Sequence, residues 1–139
     1  MIAMGESSQH MKLVRSLVDW VAKEYFDGEP GHILVDSPEG LLSGRPPPLG
    51  GFVPDVYAQR LGPKTVIVGE AKTPRDLESR HTQAQLIAFL GHCTQVPGSV
   101  LVLAVPWPVT RFARSLLGAI QRHLGLPGVR TIVLDKLEG

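Results

Sequence analysis

A proline-led aspartate, Pro54-Asp55, and a glutamate and a lysine one residue apart, Glu70-Ala71-Lys72, are the residues of this chain whose types and spacing suit chemistry. Asp55 falls on one extended segment, and the acid-x-base pair closes the apolar run Thr65-Val66-Ile67-Val68-Gly69 on the next. Alternate side chains of a strand share a face, so Glu70 and Lys72 point the same way while Ala71 turns into the packing. Two carboxylates and the Ala71 carbonyl form a hard-oxygen set suited to Mg²⁺, which keeps several waters and binds phosphate oxygens as well. Mn²⁺ is expected to substitute. A lysine beside such a set orients or helps deprotonate an attacking water and offsets charge building on a phosphate. The chemistry implied is metal-assisted phosphodiester hydrolysis. An isolated acid-x-lysine pair at a strand end is as readily a solvated ion pair. This one has a Pro-Asp strand before it, a strand of buried character leading into it, and an amphipathic helix with glutamine near its start after it.

Periodicity supplies the elements that must position these residues. Over residues 8–26, Leu13, Val14, Leu17, Val18, Val21 and Tyr25 fall on one helical face, with Lys12, Arg15, Asp19 and Lys23 on the other. Short strands are expected over 32–35, 53–59 and 64–70, with Leu61-Gly62-Pro63 as the turn between the last two. Ser79 or Asp76 is a cap for a second helix running to about Cys93. Residues 99–105 are apolar on both faces, as a central strand requires. A third helix over 110–124 turns Phe112, Leu116, Ile120 and Leu124 inward, and 129–134 closes the sheet. The expected class is α/β: a hairpin-rich first half, then a strand-helix-strand half with right-handed crossovers, making a mixed central sheet flanked by helices.

The residues Pro54-Asp55 and Glu70-x-Lys72 resemble the PD-(D/E)xK nuclease superfamily, whose restriction-endonuclease-like αβββαβ core has the same order of elements. The stretch 70–79 followed by Gln83 is most similar to the virus-type replication-repair nucleases and the Holliday-junction resolvases of that superfamily. The resemblance implies that Asp55 and Glu70 hold the metal with the Ala71 carbonyl, that Lys72 is catalytic, and that a helical glutamine, Gln83 or Gln85, lies at the site. Gln85-Leu-Ile-Ala-Phe89 also resembles the Q-x-x-x-Y motif of RecB-like members, with Phe89 in the tyrosine position, which leaves the subfamily open. Several resolvase-like members bring an acidic residue from the first helix to the metal. At a hundred degrees per residue Glu24 lands beside Leu17, inside the apolar face, and is the position that fits. The bland reading is a Glu24 that lies past the last buried turn and meets solvent. Paired sites can cut two strands, so the resemblance also implies a homodimer.

At 139 residues the chain is expected to be one domain over 1–139. No run reaches transmembrane length and no signal-peptide pattern opens it, so it is expected to be soluble, away from membranes and cytoplasmic. Cys93 stands alone on an apolar helix face and reads as core; no Cys-x-x-Cys, Gly-x-Ser-x-Gly or phosphate loop competes with the nuclease reading. The 14 Lys and Arg against 13 Asp and Glu balance to +1, but Asp and Glu are absent from 80 to 134, a stretch that carries five arginines. Arg75 and Arg80 flank the site, and Arg111 and Arg114 align with Arg122 on the outer face of the third helix; these are expected to meet DNA phosphates unless they form only a solvated face. The Pro- and Gly-rich stretch 36–51 is a long loop whose Arg45 and Gly50-Gly51 are candidates to approach substrate backbone, and whose alternative is an excursion with no role. The expectation is a Mg²⁺-dependent DNA endonuclease of repair or recombination, selective for DNA structure. Its rival is a catalytically silent nucleic-acid-binding or protein-interaction module of the same fold.

Overall fold

A computed structural model describes residues 4–36, 44–126 and 128–135; residues 37–43, part of the loop singled out above, lie outside the described residues. The elements run α1 (Met4–Tyr25), β1 (Leu34–Val35), β2 (Val56–Arg60), β3 (Thr65–Ala71), α2 (Pro74–Leu77), α3 (Arg80–Cys93), β4 (Val100–Ala104), α4 (Thr110–Leu124) and β5 (Arg130–Leu134). Short 3-10 turns at Pro30–His32 and Trp107–Val109 lead into β1 and α4. The five strands form one sheet in sequence order, antiparallel from β1 to β3 and parallel from β3 to β5. The class is α/β, with a mixed sheet flanked by helices on both faces. Among the described residues no helix is long and apolar enough to cross a membrane.

Strand alternation sorts the core into two layers. Val56, Ala58, Ile67, Ala71, Val100, Val102 and Ala104 turn to one face, which α1 covers with Leu13, Val14, Leu17 and Val21. Tyr57, Val66, Val68, Leu101 and Leu103 turn to the other, under Leu86, Phe89 and Leu90 of α3 and Ala113, Leu117 and Ile120 of α4. Because β3 and β4 are buried on both faces they read as unbroken apolar runs rather than alternating ones. Packing is close at Gly69, where a Cβ would stand 3.1 Å from Val56 Cβ and 3.3 Å from the Leu17 methyls. The missing side chain lets α1 lie directly on β3, one residue before the acidic motif.

One expectation changes here and three gain detail. The buried face of α4 is Thr110, Ala113, Leu117 and Ile120, and Phe112 is 45% exposed. Of the four side chains expected inward, Ile120 is buried and Leu116 and Leu124 pack against the margin of the core, so Phe112 alone turns out. Ser79, one of the two expected caps, does cap the helix to Cys93 by accepting the Thr82 N–H, and a further short helix, α2, started by Pro74, precedes it. Gly50, at φ +60, has Ala88 of α3 against it, where a Cβ would come within 2.9 Å, so its bareness serves packing. Arg45 pairs with Asp36 at 3.8 Å and, with His32, Leu34, Tyr57 and Gln59, lines a groove at the β1 edge of the sheet.

Candidate functional site

The β2–β3 ladder ends with Val56 opposite Gly69, so Asp55 is the next residue opposite Glu70. There the backbones part and side chains take over the ladder bonds. The Ala71 N–H donates to Asp55 Oδ2 at 2.8 Å, and the Asp55 N–H donates to Glu70 Oε1 at 3.1 Å. Each carboxylate is thus anchored by the other strand's backbone, and both sit in the gap where the hairpin opens. A residue's N–H and C=O point to the same edge of a strand, so the Ala71 carbonyl faces the Asp55 side as well. The three groups that the sequence separates by up to sixteen positions are brought together.

Lys72 follows on the same face as Glu70, held beside β4 by its own N–H, which donates to Ala104 O at 3.0 Å. Its ammonium is only 8% exposed as a residue and has two partners, Glu70 Oε2 at 3.3 Å and the Gln85 side-chain oxygen. Gln85 is the buried glutamine of the pair; Gln83 lies on the exposed side of α3 and is not part of the cluster. Positions 82, 85, 86, 89 and 90 form the inward stripe of α3, and 83 falls outside it.

Glu24 is not at the site. It is exposed on the last turn of α1. The first helix instead contributes His10, whose Nε2 lies 3.3 Å from Asp55 Oδ2. Fourteen residues separate the two, about 21 Å along the axis at 1.5 Å per residue, yet they differ by only some 40° around it. Glu24 was placed on the correct face and at the wrong end. His10 was missed, although a polar side chain between Leu17 and Val21 on the same wheel was a signal that could have found it.

The electrostatics follow from burial. Glu70 is 3% exposed, and desolvation pushes its carboxyl up to about 8, with the neighbouring Asp55 charge adding to the rise and Lys72 opposing it. Two carboxylates and one ammonium in this space leave an unmet preference for positive charge. The hydrogen bond to Asp55 holds the His10 imidazole above its ordinary range, against burial. Cys93 is buried and its thiol is pushed up to about 12, in keeping with its reading as core.

The segment between β3 and α3 is tied to itself: Thr73 Oγ1 donates to Asp76 Oδ2, and Thr82 Oγ1 and Ser79 Oγ both donate to Asp76 O. It carries Arg75 and Arg80, both exposed, past the end of β3. Arg111 and Arg114 are exposed on the first turns of α4, which begins beyond the end of β4. The four arginines therefore belong to the sheet edge that holds Glu70 and Lys72.

No protein-family model, curated protein or solved structure matches the chain.

Proposed function

We propose that this protein is a Mg²⁺-dependent endonuclease of the PD-(D/E)xK kind that hydrolyses phosphodiester bonds in DNA, acting in repair or recombination. One observation carries the reading: Asp55, Glu70, Lys72 and Gln85 converge at a splayed hairpin end with every bond needed to fix their orientation. Support also comes from the order of the elements, one helix, three strands, two helices and a fourth strand, which resembles a restriction-endonuclease-like αβββαβ core.

The donor set fits a hard divalent ion. Among the described residues no three His, Cys, Asp or Glu side chains are arranged to hold a metal, so the protein would offer Asp55, Glu70 and the Ala71 carbonyl. That number suits Mg²⁺, which fills its remaining positions with water and substrate oxygens, better than a cage-forming ion such as Ca²⁺. A buried pair of carboxylates without enough counter-charge is what such an ion would relieve. Bound there, Mg²⁺ would supply Lewis acidity to the scissile phosphate. Asp55 Oδ2 accepts from Ala71 and faces His10, which leaves Oδ1 outside those contacts. The Lys72 ammonium, oriented by Gln85, would hold the attacking water and meet charge developing on the phosphate.

The test is cleavage of branched, flapped and linear DNA with Mg²⁺, Mn²⁺ or chelator. Metal-dependent cutting that drops by at least about a hundredfold in Asp55→Ala and in Lys72→Ala is expected. DNA that is bound but uncut under either metal would mean a silent binding module. A homodimer would let two such sites cut opposing strands, and sedimentation of the protein with and without DNA reads its mass directly.

A further inference from the structure

The β4–α4 connection is Val105-Pro106-Trp107-Pro108-Val109, and Trp107 in its middle is 72% exposed. A tryptophan so far out of a core is uncommon. Its backbone turn is also set: prolines at 106 and 108 have fixed φ, the Val109 N–H bonds Pro106 O, and the Thr110 hydroxyl lies 2.8 Å from Trp107 O and 2.9 Å from Asp135 Oδ2, sharing its proton between them. Five residues on, Phe112 is half exposed in the first turn of α4, between Arg111 and the next outward arginine, Arg114. Trp107 is three residues past Ala104, whose carbonyl bonds the Lys72 N–H, so at most about 11 Å of chain separates the indole's residue from the catalytic strand end. A nucleic-acid strand covers that in a few nucleotides, at ~3.4 Å per step.

We propose that Trp107, with Phe112 five residues on, is a stacking platform for an unpaired base of the DNA substrate, which makes the enzyme select flapped or branched DNA over paired duplex; this rests on the nuclease reading above. A flat, solvent-facing ring followed along the chain by outward cations is what a base needs from a protein: its π-face stacks on the indole while its phosphates meet Arg111 and Arg114. A base inside a duplex is already stacked and cannot use the platform. Asp and Glu are absent from 80 to 134, so the turn and α4 themselves offer a strand only cations, and the carboxylate of Asp135 is engaged by the Thr110 hydroxyl. The prolines lower the ordering cost on binding, since the indole's turn is set before the DNA arrives.

The experiment uses the full chain in chelator, so that DNA stays intact, with a duplex bearing a short flap that carries 2-aminopurine beside the junction, and the same duplex fully paired. Wild type is expected to quench the flap fluorescence and to prefer the flapped DNA. Trp107→Ala should lose the quenching and about tenfold of flap affinity with duplex affinity unchanged, and Trp107→Phe should recover most of both. Because the ring is exposed, melting temperatures should match and exclude misfolding. Equal flap binding by wild type and Trp107→Ala, or no binding by either, overturns the proposal. So does a wild-type dimer that Trp107→Ala splits, which would make this face a contact between copies. Quenching without metal-dependent cleavage would sink the nuclease reading and leave the platform standing; cleavage without Trp107-dependent quenching would do the reverse.

Discussion

His10 orients rather than reacts: its imidazole reaches the Asp55 oxygen that Ala71 already holds, which fixes the carboxylate from the α1 side. Removing such an outer partner weakens a metal by about ten- to a hundredfold. His10→Ala is therefore expected to raise the Mn²⁺ concentration for half-maximal cleavage by that factor while leaving saturated turnover nearly intact, read by titrating metal in the cleavage assay. Glu70 gives a pH prediction. Its carboxyl ionises near 4.5 in the unfolded chain and near 8 when folded. Between those values the unfolded chain has lost a proton that the folded protein keeps, so this group's contribution to metal-free stability falls as pH rises through the window, by up to about 1.4 kcal/mol per pH unit. Urea unfolding in chelator across the window should show this slope for wild type and not for Glu70→Gln; Mg²⁺ should flatten it in wild type alone.

At the scale of elements, the close seat of α1 on β3 makes Gly69 a sensitive position. Gly69→Ala pushes a methyl into Val56 and Leu17, both in a packed core, and is expected to cost about 1–3 kcal/mol in urea unfolding and to lower cleavage by tilting the adjoining Glu70. The order of helices and strands was legible in the sequence because β3 and β4 are long buried runs and α1 is strongly amphipathic, so periodicity and length agree there. The acid-x-lysine face was legible for the same reason, since strand alternation leaves no choice about Glu70 and Lys72. What periodicity lacks is direction. A helical wheel places Glu24 and His10 on one stripe and is silent on which end meets the site. The topology decides that: α1 runs into β1, which lies parallel to β3, so the end of α1 lies near the start of β3 and its beginning lies near Glu70. The wheel likewise left Gln83 and Gln85 equal candidates, which the seating of α3 on the sheet separates, and put Phe112 inside although it lies at the margin of a stripe centred on Ala113, Leu117 and Ile120. Trp107 was passed over because nothing in a pattern of apolar residues distinguishes a ring that is buried from one that is displayed.

For the molecule as a whole, the net charge of +1 conceals an asymmetry, since residues 80–134 carry five arginines and no Asp or Glu, and on the proposed nuclease reading Arg80, Arg111 and Arg114 among them are phosphate contacts. Each phosphate contact adds about 0.9 to the slope of log affinity against log salt for duplex DNA. Arg111→Ala with Arg114→Ala is expected to reduce that slope by nearly two, measured by anisotropy in chelator from low to moderate salt, with little change of base preference. The layering also bears on how the protein reaches its working state. α1 precedes every strand in the sequence, and among the described helices it is the one that covers its face of the sheet, so it has nothing to dock on until β3 and β4 are paired. The helix that brings His10 is for that reason the last layer to close and the first that would lift off. Native-state hydrogen exchange should find α1 amides opening in a unit below the global unfolding free energy, with the α3 and α4 amides still protected. A molecule caught in that state keeps its sheet and its second core, exposes Val100 and Val102 to sticky encounters, and has an aspartate without its outer partner. Loss of activity on gentle heating is then expected to precede loss of bulk helix signal.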